Sequence, residues 1–142
     1  MHDSKDCLAK AVRCVDRNLT NAYDKALAPT GLRTTQYTML NVIMREGPIS
    51  IGDLSLVLQL DQTTTTRNVV ILEQAGLVSR VPHADPRIKQ LKLTAEGKRK
   101  RDAAYELWCE IQDTMLAAIT PEEWDTFKNV LTKLSAQSKE LV

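Results

Sequence analysis

The sequence predicts a mainly α-helical fold with one small β-hairpin. Apolar residues recur at spacings of three and four in six segments, as in amphipathic helices. Residues 77–93 change to a period of two on either side of a polar, proline-containing loop, which is typical of a hairpin. Two of the helical segments, 50–58 and 61–75, are separated by only a tight turn. Helix, turn, helix and hairpin in this order predict a winged helix-turn-helix.

The first two helices are predicted from their apolar stripes and their ends. Residues 3–27 carry a stripe on one face, and the sequence of residues 28–31, Ala-Pro-Thr-Gly, ends the helix. Thr34 is expected to cap a second helix, which Gly47 and Pro48 terminate. The stripe residues expected to be buried are, in the first helix, Leu8, Val12, Val15, Leu19, Ala22 and Ala26, and in the second, Tyr37, Leu40, Ile43 and Met44.

The helix-turn-helix is predicted from two caps. Ser50 is expected to cap a short helix whose apolar face contains Ile51, Leu54, Val57 and Leu58. After a turn at residues 59–60, Asp61 is expected to cap the next helix, which Gly76 closes in the C′ position.

The hairpin and the two last helices complete the predicted fold. Strands are expected near residues 77–81 and 90–93, with the tip at residues 82–87 projecting as a loop. Thr94 begins a long helix with an apolar stripe, and Thr120 and Pro121 open the last helix as N-cap and N1 residues. The stripe of the long helix is Ala104, Leu107, Ile111, Met115 and Ala118.

The predicted organisation is one domain, residues 1–142, in which residues 34–94 form the winged part. The helices of residues 1–33 and 95–142 carry apolar stripes that a winged part of about sixty residues has little surface to cover. Because closed homo-oligomers are common and readers of two-fold DNA sites are usually dimers, we expect these end helices to form the interface of a homodimer.

Composition and motifs exclude several functional classes. The chain has 43% hydrophobic and 26% charged residues, as in ordinary soluble proteins, and no apolar run approaches a membrane span. It starts without a signal-peptide pattern, so a cytoplasmic protein is expected. Cys7, Cys14 and Cys109 form no disulfide or zinc spacing, and His2 and His83 belong to no metal motif. Since no catalytic pattern can be assembled, we expect no enzyme, no metal and no cofactor.

The candidate site lies at the start of the second helix of the helix-turn-helix. Net charge is only +1, but residues 61–100 contain eight basic and four acidic residues. Because a recognition helix contacts the major groove with its N-terminal residues, we expect DNA contacts from Gln62, Thr63, Thr64 and Arg67. Thr65 shares the spacing of Val69 and Leu72 and is expected in the core.

The hairpin tip is the second part of the candidate site. Asp85 and Arg87 are two residues apart, so in extended geometry both side chains leave the same side of the chain. Asp85 is expected to orient Arg87 for a minor groove, and Lys89 adds a cation. An ordinary exposed ion pair, worth about 0–1 kcal/mol, is the alternative interpretation of the Asp85–Arg87 pair.

Four segments in register resemble the MarR family of bacterial transcriptional regulators. The resemblance implies a triangular homodimer on a pseudo-palindromic duplex operator, with recognition helices in major grooves and wings in minor grooves. The usual wing of the family reads Asp-Arg-Arg, whereas Pro86 stands here between Asp85 and Arg87, removing one cation. Thr65 stands where an apolar residue is common. The segments are 31–37, 60–67, 72–78 and 85–87 with 93–97.

The resemblance also implies a sensing function. Family members commonly release DNA when a small phenolic or other anionic ligand binds between the first, second and fifth helices, and a repressor of this kind is the leading hypothesis. Residues that could line such a cleft, although each is also an ordinary core residue by its spacing, are Tyr23, Tyr37, Trp108 and Met115.

Two alternatives stay open. The first is redox sensing through Cys7 or Cys14 on the first helix, where peroxide-sensing family members have their reactive cysteine, although an ungapped alignment puts that position at Ala9. The second is a winged-helix adaptor that binds proteins and does not read DNA. The ligand, the operator and the choice between repression and activation cannot be read from the residues.

Overall fold

A computed structural model describes residues 3–142, which form six α-helices, three short strands and two 3-10 turns. The chain divides into two compact units, Met1–Trp108 and Cys109–Val142. The mainly helical fold with a small antiparallel sheet confirms the predicted fold class. The elements are α1 (Leu8–Leu27), α2 (Thr34–Glu46), β1 (Ile49–Ser50), α3 (Ile51–Leu58), α4 (Gln62–Gln74), β2 (Val78–Val81), β3 (Gln90–Leu93), α5 (Ala95–Leu116) and α6 (Pro121–Glu140), with 3-10 turns at Ser4–Asp6 and Ala28–Thr30.

The sheet contains the predicted hairpin and one strand that the sequence did not predict. β2 pairs antiparallel with β3, with Val78 opposite Leu93 and Val81 opposite Gln90. The two-residue β1 pairs with the other edge of β3 through Ile49 opposite Leu91, which gives the strand order β1-β3-β2. β3 is therefore the central strand, and β1 joins the segment before α3 to the wing.

Most of the predicted helix ends are confirmed by their hydrogen bonds. The Asp53 N–H donates to Ser50 Oγ at 3.0 Å, and the Thr64 N–H donates to Asp61 Oδ1 at 2.8 Å. The Glu123 N–H donates to Thr120 Oγ1 at 3.1 Å. The left-handed backbone of Gly76, with φ of 73°, follows the end of α4, as its expected C′ position requires.

The predicted cap of α2 is wrong by one residue. Arg33 is the N-cap, and its N–H donates to Gln36 Oε1 at 2.9 Å. Thr34 is already helical, and its N–H donates to Asp24 Oδ1 on α1 at 2.7 Å. The carboxylate from α1 satisfies an amide at the start of α2, so the Thr34 side chain is not needed for capping.

The core lies in the first unit, between α2, α3, α4 and the sheet. The expected core positions Tyr37, Thr65 and Leu72 are buried, and Thr65 Oγ1 donates to the Asp61 carbonyl at 3.0 Å. The other fully buried large side chains are Leu27, Met39, Leu40, Ile43, Leu54, Val69 and Leu91.

Two expected core residues, Val57 and Met44, are exposed. Val57 is 44% exposed because the buried face of α3 is centred near Leu54 and Ser55, and at about 100° per residue Val57 falls on the edge of that face. Met44 is 42% exposed because it lies in the last turn of α2, where it borders an open groove with Pro48 and Leu93. Both predictions of burial were therefore wrong.

The start of α5 is fixed against the start of β2. Thr94 donates twice, from its N–H to the Leu77 carbonyl at 3.1 Å and from its hydroxyl to the Gly76 carbonyl at 2.6 Å. Gly97 donates its N–H to Thr94 Oγ1 at 3.0 Å. A Cβ atom on Gly97 would lie 1.9 Å from the Leu77 carbonyl oxygen, so only glycine permits this approach of helix to strand.

The second unit contains the last turns of α5 and the whole of α6. Thr120 and Pro121 open α6 as predicted, and the rings of Trp124 and Phe127 lie 6.1 Å apart. Phe127 and Val130 are exposed, although the sequence gives α6 an apolar stripe. Within residues 3–142 no helix is long and apolar enough to cross a membrane.

Candidate nucleic-acid interface

The first turns of α4 present polar side chains to solvent. Gln62, Thr63, Thr66 and Arg67 are exposed and together line one surface depression. Residues 62 and 66, like 63 and 67, are four apart and so lie above one another on one helix face. Donors that suit phosphates and base edges thus cover the surface where a recognition helix is expected to meet DNA.

The cap of α4 uses one of the predicted contact residues. Thr64 donates its N–H to Asp61 Oδ1 and its hydroxyl to Asp61 Oδ2, the latter at 2.6 Å. These bonds hold the pKa of the Asp61 carboxyl below its ordinary value, with the Thr64 hydroxyl as the largest cause. Asp61 therefore remains an anion at neutral pH and fixes the direction in which α4 leaves the turn.

The wing tip is a tight turn and not the extended segment that the sequence analysis assumed. The Ile88 N–H donates to the Asp85 carbonyl at 3.0 Å, with Pro86 in the second position of the turn. Pro86 fixes φ near −65°, which favours a turn at this position. The expectation of extended geometry at the tip is therefore wrong.

The predicted pairing of Asp85 with Arg87 is present in this turn. Arg87 donates its backbone N–H and Nε to Asp85 Oδ1 at 2.9 and 3.1 Å, and one guanidinium nitrogen to Oδ2 at 2.8 Å. The pair holds the pKa of Asp85 below its ordinary value and raises that of Arg87. The Arg87 side chain is still 88% exposed, so it is oriented but accessible, and Lys89 beside it is exposed as well.

A groove of about 490 Å³ lies between the wing and the two helices of the helix-turn-helix. Gln62 contributes from α4, and the start of α3 contributes Ser50 to Asp53. From the wing come His83 and the residues from Arg87 to Gln90. The groove thus brings Gln62, Arg87 and Lys89 from the predicted site to one surface.

An ion pair connects α4 to the wing. Arg80 on β2 donates to both carboxylate oxygens of Glu73 near the end of α4, at 2.6 and 3.1 Å. The hydrogen bonds to Glu73 raise the pKa of Arg80. Both side chains are about one third exposed or less, which limits solvent screening of the pair.

Comparison with known proteins gives consistent results. The model of the MarR family matches residues 30–87. The transcriptional regulator MosR of Mycobacterium tuberculosis, solved in complex with DNA, has 32% sequence identity and a TM-score of 0.80, over 92% of this chain and 98% of that one. The chain belongs to the MarR family of transcriptional regulators.

Two further relatives of this MarR-family chain agree. A mutant of Escherichia coli MarR, solved with operator DNA, is 25% identical with a TM-score of 0.83, over 89% of this chain and 92% of that one. The uncharacterised HTH-type transcriptional regulator YwoH of Bacillus subtilis is 25% identical over 80% of this chain and 83% of its own. These relatives are regulators and not enzymes, and the MarR-family chain is a regulator of the same kind.

Three of the candidate ligand residues lie in the first unit of the MarR-family chain. Tyr37 is only 2% exposed, and its ring lies 6.1 Å from that of the half-buried Trp108. Tyr23 on α1 is partly buried, which raises the pKa of its phenol. Met115 lies in the second unit. Tyr37 is thus a core residue, and a ligand role for these four side chains stays a prediction.

The cysteines carry free thiols. Cys7 and Cys14 are exposed and Cys109 is half-buried. The redox hypothesis for this MarR-family chain also stays a prediction. His2 lies outside the described residues, and among residues 3–142 no three His, Cys, Asp or Glu side chains are grouped as a metal would require.

The sequence analysis missed two residues of this surface. Thr66 shares a helix face with Gln62, and counting four residues from Gln62 would have found it. His83 borders the groove from the wing. No motif singles out a histidine in a loop, and only the folding of the hairpin brings His83 to the groove.

Proposed function

We propose that this MarR-family chain binds duplex DNA, with α4 in the major groove and the wing in the adjacent minor groove. The observation that carries this proposal is the surface shared by the exposed start of α4 and the oriented, exposed Arg87 around one groove. The relatives MosR and the Escherichia coli MarR mutant, which were solved with DNA, support it.

Each predicted contact has a chemical role in this proposal. Gln62 can pair with adenine and Arg67 with guanine, whereas Thr63 and Thr64 donate to phosphates or base edges at the start of α4. Because the Thr64 hydroxyl already bonds Asp61, Thr64 would act mainly by fixing this turn. Arg87, held by Asp85, enters the minor groove, and Lys89 neutralises a phosphate.

The functional form in this proposal is a homodimer. The stripe of α1 supports it, since Leu8, Val12, Val15 and Leu19 are exposed large apolar side chains spaced along one face. Phe127 of α6 is exposed in the same way. Residues 34–94 would then read DNA, and the helices of residues 1–33 and 95–142 would hold the two subunits together on a pseudo-palindromic operator.

The dimer is tested by measuring molecular mass in solution. Sedimentation equilibrium should give twice 15.9 kDa for the unchanged chain. Val15→Glu, which adds a charge to the exposed stripe of α1, should shift the mass toward the monomer, whereas Lys10→Glu should not, because Lys10 lies off that stripe. A monomeric wild-type chain at all concentrations would contradict the proposal.

We further propose that the protein is a cytoplasmic repressor that a small phenolic or anionic ligand releases from DNA. A dimer covering an operator near a promoter blocks polymerase without any further activity. The partly buried Tyr23 and Trp108 support a ligand site on aromatic side chains. A transcription assay with the operator before a reporter would test repression, and addition of phenolic acids would test release.

The DNA contacts are tested with duplexes that the wild-type protein enriches from a random pool. Arg67→Ala should weaken binding and change the enriched sequence, and Arg87→Ala should weaken binding to all duplexes and lower the salt slope by about one per lost contact. Arg45→Ala, at an exposed arginine near the end of α2, is the matched control for charge. Unchanged enrichment and salt slope in both site variants would refute the assignment.

A further inference from the structure

His83 has a contact within the wing that fixes how its ring can be used. The Asp85 N–H donates to His83 Nδ1 at 3.0 Å, and the side chain is exposed. A neutral imidazole that accepts a hydrogen bond at one nitrogen carries its hydrogen on the other. The loop therefore uses Nδ1 as an acceptor, and the Nε2–H remains available as a donor.

The position of His83 gives this donor a partner. His83 borders the groove that also contains Gln62 of α4 and Arg87 and Lys89 of the wing. Two exposed cations beside an open groove attract the anionic backbone of a duplex, and about half or more of protein–DNA hydrogen bonds go to phosphate and sugar.

We propose that His83 is a DNA-contacting residue whose Nε2–H donates to a phosphate oxygen next to the minor groove that the wing enters. This inference rests on the proposed DNA-binding function. It adds a contact that belongs to neither the recognition helix nor the Asp85–Arg87 pair. The imidazole would thus have two separate tasks, holding the loop through Nδ1 and binding DNA through Nε2.

Two amide substitutions separate these tasks. In His83→Asn the amide oxygen can take the place of Nδ1 and accept from Asp85, but no donor reaches the position of Nε2. In His83→Gln the amide nitrogen can take the place of Nε2, but the acceptor at Nδ1 is lost. A contact to DNA and a purely structural role therefore predict opposite orders of affinity.

The experiment measures the dissociation constant of each variant for the duplex of about 30 base pairs that the wild-type dimer enriches from a random pool. His83→Asn and His83→Ala should weaken binding about tenfold, and His83→Gln should stay within about threefold of wild type. Because the lost donor is neutral, the salt slope should not change, in contrast to that of Arg87→Ala. Unchanged circular dichroism and urea midpoints confirm that the variants fold.

The possible failures are distinct. If His83→Asn binds like wild type and His83→Gln is weakened, His83 only positions the loop and the inference is wrong. Equal binding by wild type and all three variants would also overturn it. If the wild-type protein enriches no duplex at all, the proposed function fails, and the inference fails with it.

Discussion

Substitution of Gly97 by alanine tests the close approach of α5 to the wing. The added Cβ would lie 1.9 Å from the Leu77 carbonyl oxygen and 2.8 Å from its carbon, whereas ordinary contact begins at 3.4 Å. Helix and strand must therefore move apart by more than 1 Å. Both atoms that clash with the new methyl group belong to the backbone, so no side chain can rotate to relieve the strain.

The expected destabilisation follows from three contributions. Overpacking of this size costs about 2–3 kcal/mol, and the weakened hydrogen bond from the Thr94 N–H to the Leu77 carbonyl adds about 1 kcal/mol. The greater helix propensity of alanine offsets about 1 kcal/mol. The free energy of unfolding should thus fall by about 2–3 kcal/mol, which corresponds to roughly 1–2 M in the urea midpoint.

The assay is urea unfolding followed by circular dichroism at one fixed protein concentration, because a dimer unfolds in a concentration-dependent way. Gly52→Ala is the control. Its Cβ would lie 3.3 Å from Gln62 Nε2, the end of a flexible side chain, so helix propensity should dominate and the midpoint should stay or rise. Our account of the α5 junction would be wrong if Gly97→Ala unfolded at the wild-type midpoint.

Three further predictions concern α4. Thr65→Val should change the free energy of unfolding by less than about 1 kcal/mol, because the lost bond to the Asp61 carbonyl is offset by apolar burial; a larger loss in urea unfolding would contradict this. A double-mutant cycle of Glu73→Gln and Arg80→Gln should give a coupling of about 0.5–1 kcal/mol that shrinks in 1 M salt, and no coupling would mean that the ion pair does not connect α4 to the wing. Asp61 has a folded pKa below its unfolded value, so its contribution is present above about pH 4 and is lost as the pH falls through the folded pKa. Asp61→Asn, which can still cap, should therefore unfold like wild type at pH 7 and lose less stability between pH 5 and pH 3; equal acid sensitivity would refute this cause.

The features that sequence alone predicted are local ones. A capping serine or aspartate forms its bond within three residues, as Ser50 and Asp61 do, so the helix starts could be read directly. The hairpin is likewise formed by two neighbouring segments. The exposed start of α4 follows from its cap and from the spacing of Thr65, Val69 and Leu72 toward the core.

The features that sequence missed depend on distant partners. β1 is only two residues long and exists because Leu91, some forty residues later, pairs with Ile49. The cap of α2 changed because Asp24 reaches the Thr34 amide from another helix. The position of His83 beside Gln62 requires the whole hairpin to fold back on the helix-turn-helix. The turn at Pro86, in contrast, was predictable from its residue types.

The pairing of β1 with β3 has a mechanical consequence for a protein that reads DNA. Since β3 is held on both edges, by β1 next to the start of α3 and by β2, the arm of the wing is clamped at its base. Only the tip beyond Val81 and Gln90 is left to adapt its shape. Helix and arm should consequently approach a duplex as one rigid tool, so that any movement between subunits shifts both sets of contacts by the same amount and engages or loses them together.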